Sequence, residues 1–302
     1  MSMTRDTALD GAASVLPPTL LKGLDALGRA EWSGTEELRL RRGFPMTVVL
    51  SGEERDLGGE PVTERHLREV LENASQASAH TVLEQARNGF VTLRGGHRIG
   101  LCGTVTRRDG EITTLRYLSS LSIRVARAVG GQAAAVLPGL MENGSFLSTL
   151  ILGPPGAGKT TLLRELIRTL SDGEGVPAHR VGVADERGEI AALWQGEAQF
   201  YVGRHTDVLD GCPKAEGLTI LLRGMNPQVL AADEITHPAD VTAVTEAAGC
   251  GAALLATAHG GSLEDLRRRP VYRALLAEGV FRRVVVLGRN GARRTFQVEA
   301  VS

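Results

Sequence analysis

The stretch LILGPPGAGKTTLLREL, residues 150–166, decides the predicted fold of this 302-residue chain. It contains the pattern GxxxxGK followed by Thr at residues 153–160, after an apolar run and before a segment with helical periodicity at 161–170. Glycines in such a loop let backbone N–H groups approach phosphate oxygens, and the N-terminus of the following helix favours negative charge. We therefore predict a phosphate-binding loop between a strand and a helix.

Individual residues of this loop have separate expected roles. Lys159 is expected to contact the β and γ phosphates of a nucleotide, and the Thr160 hydroxyl is expected to ligate Mg²⁺. A glycine-rich turn without a ligand would not need Lys and Thr at these two positions, so the pattern favours ATP and Mg²⁺ as cofactors. The predicted nucleotide contacts are Gly153, Pro154, Pro155, Gly156, Ala157, Gly158, Lys159, Thr160 and Thr161.

A second group of candidate residues follows the apolar run VLAA at residues 229–232. Asp233 and Glu234 end this predicted strand in the form of a Walker B motif. We expect Asp233 to contact Mg²⁺ and Glu234 to be catalytic, polarising water for attack on the γ-phosphate. An acidic strand end that faces solvent is common by itself, but its position after a phosphate-binding loop favours the catalytic interpretation.

Two further predicted strands end in polar residues. In VGVADERGEI, residues 181–190, the strand ends at Asp185 and Glu186, and in LLATAHGG, residues 254–261, His259 follows the strand. Ligands of open parallel sheets bind at the carboxyl ends of the strands, so these residues are expected at the same crevice. We predict catalytic roles for Glu186 and His259, with His259 as a sensor of the γ-phosphate.

The alternation of apolar strands and helical segments after residue 147 predicts a mainly parallel sheet. The expected elements are a short helix at 133–141, strands at 147–152, 180–184, 229–233 and 253–256, and a closing hairpin around Asn290 and Gly291. Together with the phosphate loop, this pattern predicts an α/β fold, a RecA-like P-loop NTPase domain over residues 133–302.

The preceding residues predict a smaller α+β domain over residues 22–118, without a catalytic motif. ELRLRRGFPMTVVL, residues 37–50, alternates like a β-hairpin, and Thr63 and Ser78 are expected to cap two helices. Further strands are expected at 90–93, 97–105 and 112–115. Residues 1–21 are predicted to form a loose N-terminal arm, and residues 119–132 a linker between the domains.

Composition narrows the classes of function. The 34 Lys and Arg residues against 35 Asp and Glu give a formal net charge of -1, so nucleic acid is not an expected partner. The three cysteines are widely spaced and form no CxxC pair, which predicts neither a disulfide framework nor a zinc site. The N-terminus lacks the apolar core of a signal peptide, and no apolar run approaches the ~20 residues of a membrane span. We therefore expect a cytoplasmic protein without direct membrane insertion, peripheral to a membrane complex through partner proteins.

The order of the motifs resembles that of the type II and type IV secretion ATPases, of the AAA+ and RecA-like kind. In that family the phosphate loop, the two acidic strand ends and His259 correspond to Walker A, Asp box, Walker B and His box elements. A more specific resemblance is carried by three stretches, which are VGRHTDVLDGCPKAEGLTILLRGMNPQVLAADEI at residues 202–235, DERGEIA and ATAHGGSLEDL. These stretches resemble the stage III sporulation protein AA family.

This resemblance implies a hexameric ring whose ATP hydrolysis supports transport or assembly, with membrane proteins of a sporulation channel between mother cell and forespore as partners. It also implies that Arg124 and Arg127 approach the nucleotide from the N-terminal domain. Asp233 stands where Gly is usual before the Walker B glutamate of the wider secretion family. The zinc-binding tetracysteine motif of some members is absent, so no metal other than Mg²⁺ is expected.

Two other classes of function stay open at this point. The first is a P-loop ATPase stimulated by nucleic acid. The net charge of -1 and the lack of a recognisable nucleic-acid module count against this function. The second is a nucleotide-gated scaffold with negligible hydrolysis. That function would not need the complete set of hydrolysis residues that the chain contains, which are Lys159, Thr160, Asp233, Glu234 and His259.

Overall fold

Two units make up the chain, Met1–Arg127 (unit 1) and Ala128–Ser302 (unit 2). The computed structural model describes residues 7–75, 89–108, 111–127, 130–290 and 293–301. Each unit has its own sheet, and each has its own apolar core.

Unit 1 contains a six-stranded antiparallel sheet of order β3-β2-β1-β6-β5-β4. Along β1 the side chains of Leu38 and Leu40 are buried and their neighbours are less so, which is the alternation of a strand with one covered face. The predicted hairpin at 37–50 is confirmed by the pairing of β1 with β2. The strands are β1 Thr35–Arg41, β2 Thr47–Leu50, β3 Glu53–Asp56, β4 Phe90–Thr92, β5 Arg98–Arg108 and β6 Glu111–Arg124.

Four helices of the described residues pack with this sheet, together with a 3₁₀ turn at Lys22–Ala26. The predicted helix after Thr63 is confirmed, since the Thr63 hydroxyl accepts a hydrogen bond from the His66 N–H at 3.2 Å. The helix predicted to begin at Ser78 lies outside the described residues. The four helices are α1 Thr7–Ala13, α2 Pro18–Leu21, α3 Arg29–Gly34 and α4 Glu64–Ser75.

The prediction of a loose N-terminal arm is wrong for residues 7–21. Leu9, Leu16 and Leu20 are at most 5% exposed and belong to the same apolar core as Leu38 and Leu40. Leu9 lies on α1, Leu20 on α2 and Leu16 in the turn between them, and burying each contributes about 1.5–3 kcal/mol. This segment is therefore an integral part of unit 1.

The prediction of a linker is wrong for residues 119–124, which form the last part of β6. This strand lies between β1 and β5, and Ile123 pairs with Leu38 on one side and Ile99 on the other. The alternation of apolar and polar residues in SSLSIR suits a strand, and the glycines that suggested a hinge come only after residue 129. The division between the two units falls after Arg127.

Unit 2 contains a seven-stranded sheet of order β13-β10-β14-β15-β9-β16-β17. All neighbouring strands are parallel except the last pair, which confirms the predicted closing hairpin. Residues 291–292 of its turn lie outside the described residues. The strands of this sheet are β9 Thr149–Gly153, β10 Val181–Asp185, β13 Thr206–Asp210, β14 Val229–Ala232, β15 Ala253–His259, β16 Arg283–Asn290 and β17 Arg293–Ala300.

The remaining elements of unit 2 are short strand pairs and helices. A 3₁₀ turn at Leu137–Leu140 follows the first helix. The strand pairs are β7 Met141–Glu142 with β8 Ser145–Phe146, and β11 Leu193–Trp194 with β12 Glu197–Ala198. The helices are α5 Ala133–Val136, α6 Lys159–Asp172, α7 Lys214–Met225, α8 Pro238–Gly249, α9 Leu263–Arg267 and α10 Pro270–Ala277.

The central parallel strands of unit 2 are buried on both faces. All residues of β9, β10 and β14 are buried, and alternate side chains enter two different apolar clusters. Ile151 packs in the cluster that includes α6, and Leu150 in the cluster that includes α7 and α8. Continuous apolar runs are what a parallel sheet covered by helices on both faces requires.

The four predicted parallel strands are confirmed, but β13 was missed. Its residues TDVLD include two aspartates. The first four are half-buried and Asp210 is exposed, because the strand lies at the edge of the sheet. Polar residues of this kind are uncommon in a central parallel strand but are tolerated at an edge. The parallel order brings the carboxyl ends of β9, β10, β14 and β15 to one edge of the sheet.

Candidate nucleotide site at the carboxyl edge of the parallel sheet

The predicted phosphate loop connects β9 to α6. Gly158 precedes the first residue of α6 with φ 98, in the left-handed region where a side chain is unfavourable. At Gly153 a Cβ atom would lie 3.0 Å from the Ala157 Cβ and 3.2 Å from the Leu287 Cβ. One glycine is thus required by backbone conformation and the other by close packing, which explains the glycine pattern of this loop.

The Lys159 side chain folds back over the phosphate loop that precedes it in the sequence, and the residue is 8% exposed. Its ammonium donates hydrogen bonds to the Gly153 carbonyl at 3.0 Å and the Pro154 carbonyl at 3.2 Å. Burial lowers the Lys159 pKa, and the negative charges of Glu234 and Asp233 oppose that shift. The loop therefore holds a cation whose hydrogen bonds can be exchanged for those of an anion.

Thr160 and Asp233 face each other across the loop. The Thr160 hydroxyl lies 3.4 Å from Asp233 Oδ2. Asp233 Oδ1 accepts hydrogen bonds from the Thr257 hydroxyl at 2.5 Å and from the Glu234 N–H at 2.9 Å. Thr257, which is fully buried on β15, was missed by the sequence analysis as a site residue. It fixes the Asp233 carboxylate and leaves Oδ2 directed toward Thr160.

His259 links the phosphate loop to Glu234. Its Nδ1 is 3.2 Å from the Lys159 ammonium, and its Nε2 is 2.8 Å from Glu234 Oε1. An ammonium can only donate and a carboxylate can only accept, so both contacts are satisfied by a neutral ring with its proton on Nε2. The structure thus brings Lys159, Thr160, Asp233, Glu234 and His259 together, as the sequence analysis expected.

The two acidic residues at the end of β10 have different surroundings. Asp185 is 1% exposed, and its carboxylate accepts hydrogen bonds from the N–H groups of residues 189–192. Glu186 is more exposed, and its Oε2 is 3.4 Å from the Lys214 ammonium. Asp185 therefore holds the backbone of the following loop, whereas Glu186 has a cationic partner that the sequence analysis missed.

Arg164 stabilises the same loop from α6. Its guanidinium donates to the Ile190 carbonyl at 2.7 Å and the Glu189 carbonyl at 2.8 Å, and it stacks over the Phe200 ring at 3.7 Å. Burial lowers the Arg164 pKa to about 10, while the charge of Asp185 opposes the shift. Arg164 and Asp185 together fasten the segment after β10 to the helix that follows the phosphate loop.

The backbone around His259 and Glu234 has two further supports. Arg269 donates to the His259 carbonyl at 2.7 Å and forms an ion pair with Asp265 at 2.9 Å. The Tyr272 hydroxyl donates to the Ile235 carbonyl. Sequence alone offered no signal for either contact, because Arg269 lies between two short helices beyond β15 and Tyr272 lies on the second of them.

Arg124 and Arg127 make their described contacts inside unit 1. Arg127 donates to the backbone carbonyls of Thr35 and Trp32. The Arg124 side chain is 71% exposed, and its Nε is 3.8 Å from Glu37 Oε1. The role of both arginines toward a nucleotide stays a prediction.

The residues of this edge fit ATP and Mg²⁺. A Cβ atom at Gly156 would meet nothing within 4 Å, so the loop backbone is open to a ligand there. Among the described residues no three His, Cys, Asp or Glu side chains converge as metal ligands. Mg²⁺ keeps waters and phosphate oxygens in its coordination shell and needs few protein ligands. The Thr160 hydroxyl and the Asp233 carboxylate are oxygen donors of the required kind.

The described part of the chain has no helix with the length and apolar character needed to cross a membrane.

Comparison with known sequences identifies relatives of this chain. The family described as "Sporulation stage III, protein AA" matches residues 17–298. The stage III sporulation protein AA of Bacillus subtilis (strain 168) is 40% identical over 279 residues, which are 92% of this chain and 90% of the relative. The uncharacterized protein ycf45 of Porphyra purpurea is 32% identical over 203 residues, 66% of this chain and 34% of that protein.

Comparison with solved structures supports the fold. The ATPase DotB of Legionella pneumophila matches with a TM-score of 0.58 at 15% identity, over 94% of this chain and 81% of that chain. The pilus retraction motor PilT, solved with bound ADP, matches with a TM-score of 0.60 at 14% identity, over 89% of this chain and 80% of that chain. At such identity the likeness shows the fold alone. It confirms the α/β, RecA-like class with a mainly parallel sheet, preceded by an α+β unit.

With its family model matched over residues 17–298 and a relative 40% identical over 92% of its length, the chain belongs to the stage III sporulation protein AA family.

Proposed function

We propose that this chain is an ATPase that hydrolyses ATP with Mg²⁺. One observation carries the proposal: a continuous chain of contacts joins Lys159 through His259 to Glu234, beside the Thr160 and Asp233 pair. Each of these groups lies at the carboxyl edge of the parallel sheet, where ligands of such folds bind. A structural network would not need a phosphate loop, a hydroxyl and carboxylate pair, and a positioned base at one place.

The phosphate loop and Lys159 bind the nucleotide. The Lys159 ammonium exchanges its contacts with two loop carbonyls and His259 for phosphate oxygens, which accept charge-assisted hydrogen bonds. Gly153, Pro154, Pro155, Gly156, Ala157, Gly158, Thr160 and Thr161 supply the surrounding backbone contacts. Mg²⁺, when bound at Thr160 and Asp233, neutralises charge that develops on the phosphates.

Glu234 is the proposed general base. Its carboxylate accepts the proton of the attacking water, and its hydrogen bond with His259 Nε2 fixes the direction in which it does so. His259 contacts both Lys159 and Glu234, so its position changes when Lys159 turns to the phosphates. This arrangement supports a role for His259 as the γ-phosphate sensor, and Glu186 acts beside it through its own contact with Lys214.

Family membership supports a role in sporulation. We propose a ring oligomer, with six subunits as its expected size, that acts on the cytoplasmic side of a membrane complex. Its hydrolysis would power transport or assembly of a channel between mother cell and forespore, with membrane proteins of that channel as partners. Arg124 and Arg127 are proposed nucleotide contacts. Measurement of the particle mass with and without ATP tests the ring, and a monomer under both conditions would refute it.

Phosphate release in the presence and absence of Mg²⁺ tests the enzymatic proposal. The wild-type chain is expected to release phosphate only with Mg²⁺. Glu234→Gln should lower turnover by about 100-fold or more and keep binding of a fluorescent ATP analogue. Lys159→Ala should lose both, whereas Lys22→Ala, at an exposed lysine of unit 1, should behave as wild type.

Three outcomes would redirect the proposal. Normal turnover of Glu234→Gln would refute the role of that residue. ATP binding without any phosphate release would favour a nucleotide-gated scaffold. A strong increase in phosphate release on addition of single-stranded DNA or RNA would favour a motor stimulated by nucleic acid.

A further inference from the structure

Lysine is rare in this chain and is placed selectively. Of its 34 basic residues 31 are arginine, and the lysines are Lys22, Lys159 and Lys214. Lys22 is exposed, but Lys159 and Lys214 are 8% and 7% exposed. Lys carries a compact ammonium with three donors, whereas Arg carries a longer planar fork. Both buried lysines are linked to one residue, Glu234. Lys159 contacts His259, which contacts the Glu234 carboxylate, and Lys214 contacts the Glu234 carbonyl.

Lys214 occupies a position that general preferences disfavour. It is the first residue of α7, where the helix dipole repels a positive charge. Burial of an ammonium is costly unless it is paired and hydrogen-bonded, and fixing a long side chain costs entropy. Arginine or a small polar residue would avoid at least part of these costs, so the contacts of the Lys214 ammonium must offset them.

Those contacts are with the two acidic strand ends of the site. The Lys214 ammonium donates a hydrogen bond to the Glu234 carbonyl at 2.7 Å and lies 3.4 Å from Glu186 Oε2. One cation thus connects the end of β10 with the end of β14. Glu186 is the counterion that balances the buried charge.

The contact completes the immobilisation of Glu234. Its N–H donates to Asp233 Oδ1 at 2.9 Å and contacts the Thr257 hydroxyl at 3.0 Å. Its carboxylate contacts His259, and its carbonyl accepts from Lys214. The N–H and the carboxylate of Glu234 are therefore held from β15, and its carbonyl is held from α7.

We propose that Lys214 is a positioning residue for ATP hydrolysis, which holds the backbone of Glu234 through its carbonyl and is itself held by Glu186. The inference rests on the proposed function of Glu234 as the general base. Lys214 does not contact the phosphate loop residues in this arrangement, so its effect is on the orientation of the base and not on nucleotide binding. Glu186 acts through Lys214 and not on the reacting atoms.

Steady-state kinetics separates this role from a role in binding. Lys214→Met keeps the length of the side chain and removes its charge, and it should lower kcat about 10- to 100-fold, since small displacements of a catalytic group have effects of that size. KM and the Kd of an ATP analogue should stay within about threefold. Lys214→Arg should recover most of the loss, and Lys22→Met is the matched control.

Glu186→Gln tests the counterion. It should lower kcat less than Lys214→Met, because the hydrogen bond to the Glu234 carbonyl remains. The double variant should be no slower than Lys214→Met alone, since both changes act through one contact. Fully additive losses would show that Glu186 has a role of its own and would overturn this part of the inference.

A measurement that does not depend on turnover keeps the inference separate from the ATPase proposal. Acylation by an amine-reactive reagent, followed by peptide mass spectrometry, resolves all three lysines. Lys214 should react much more slowly than Lys22, and Glu186→Gln should accelerate Lys214 alone. If wild type releases no phosphate, the ATPase proposal fails whatever the acylation rates are.

Several results would overturn the inference. The first is an unchanged kcat of Lys214→Met in a chain that hydrolyses ATP. The second is a rise in KM or Kd that accounts for the whole effect. The third is a Lys214 that is acylated as fast as Lys22. If Lys214→Met does not fold, Glu186→Gln carries the same tests, and normal kinetics together with an unchanged rate of Lys214 acylation in that variant would overturn the inference.

Discussion

Unit 1 and unit 2 bury different kinds of polar side chain. In the described residues of unit 1 the buried polar side chains are Thr35, Thr92 and His97. Burial lowers the His97 pKa to about 4, so its ring is neutral. Unit 2 also buries side chains of ordinarily charged types, and these are Lys159, Glu165, Asp185, Lys214 and Asp240.

The buried charged side chains of unit 2 indicate that its polar interior has a different role from that of unit 1. Buried charges cost more free energy than buried neutral groups, and ion pairs among them are weak evidence for stability. Lys159, Asp185 and Lys214 lie at the carboxyl edge of the sheet, and the other two accept hydrogen bonds from nearby backbone N–H groups. The buried polar side chains of unit 1 thus serve its fold, whereas three of the five buried charged side chains in the described part of unit 2 lie at the proposed site.

The two tryptophans allow this comparison to be measured. Trp32 belongs to unit 1 and Trp194 to unit 2, and the chain has no third. A Trp194→Phe background therefore reports the unfolding of unit 1 by fluorescence, and a Trp32→Phe background reports that of unit 2. Each of the following predictions names the background in which it is read.

The largest effect is expected from Asp185→Asn in the Trp32→Phe background. The amide would present a donor to backbone N–H groups that now donate to a carboxylate, and it would leave the buried Arg164 without a nearby charge that opposes its pKa shift. Removal of one member of a buried charged set costs about 3–5 kcal/mol. Urea unfolding measures this loss, with the exposed Glu197→Gln on β12 as the control. A loss no larger than that of the control would mean that unit 2 does not depend on its buried charge.

The next effect is the acid sensitivity of unit 1, read in the Trp194→Phe background. His97 is buried and its Nδ1 accepts from the Ala126 N–H at 3.0 Å. Its folded pKa of about 4 lies below the usual 6.5, so on acidification the unfolded chain binds the proton first. The stability that the neutral ring contributes is complete above pH 6.5 and is lost as the pH falls toward 4. We expect a loss of about 2 kcal/mol over this window.

His97→Gln provides the matched variant for this acid effect. Its amide oxygen can accept the same N–H but does not titrate, so unit 1 of the variant should lose much less stability between pH 6.5 and 4. The same pH dependence in His97→Gln and in the parent would show that other groups cause it. Unit 1 would then depend on charge in the way proposed for unit 2.

How far the sequence predicts this molecule depends on how local each signal is. The phosphate loop, β14 with its two acids, and β15 with His259 were predicted because each motif is a few residues long and adjoins an apolar run. The contacts of Lys214 were not predicted, because its partners Glu186 and Glu234 lie 28 and 20 residues away in the chain. Only the parallel order of β10 and β14 brings these residues together. Long-range pairing of this kind leaves no periodic pattern.

The failed predictions in unit 1 have a related cause. Residues 7–21 are interrupted by Gly11 and by two prolines, and the partner surface that buries their apolar side chains is formed by the sheet that begins at Thr35. Residues 119–124 are followed a few residues later by Gly130 and Gly131, which suggested the linker interpretation. In both cases local composition was a weaker guide than tertiary packing, which decides whether a short amphipathic segment is ordered.

The smallest effect is expected from Tyr272→Phe, again in the Trp32→Phe background. Tyr272 is 5% exposed, and its hydroxyl donates to the Ile235 carbonyl just after Glu234. Removal of one neutral hydrogen bond should cost about 1 kcal/mol, several times less than Asp185→Asn. Burial raises the Tyr272 pKa to about 12, so the stability that its neutral form contributes is complete below pH 10 and is lost as the pH rises through 12. Tyr272→Phe should remove that alkaline loss. If Tyr272→Phe cost as much as Asp185→Asn, burial alone and not buried charge would distinguish the interior of unit 2.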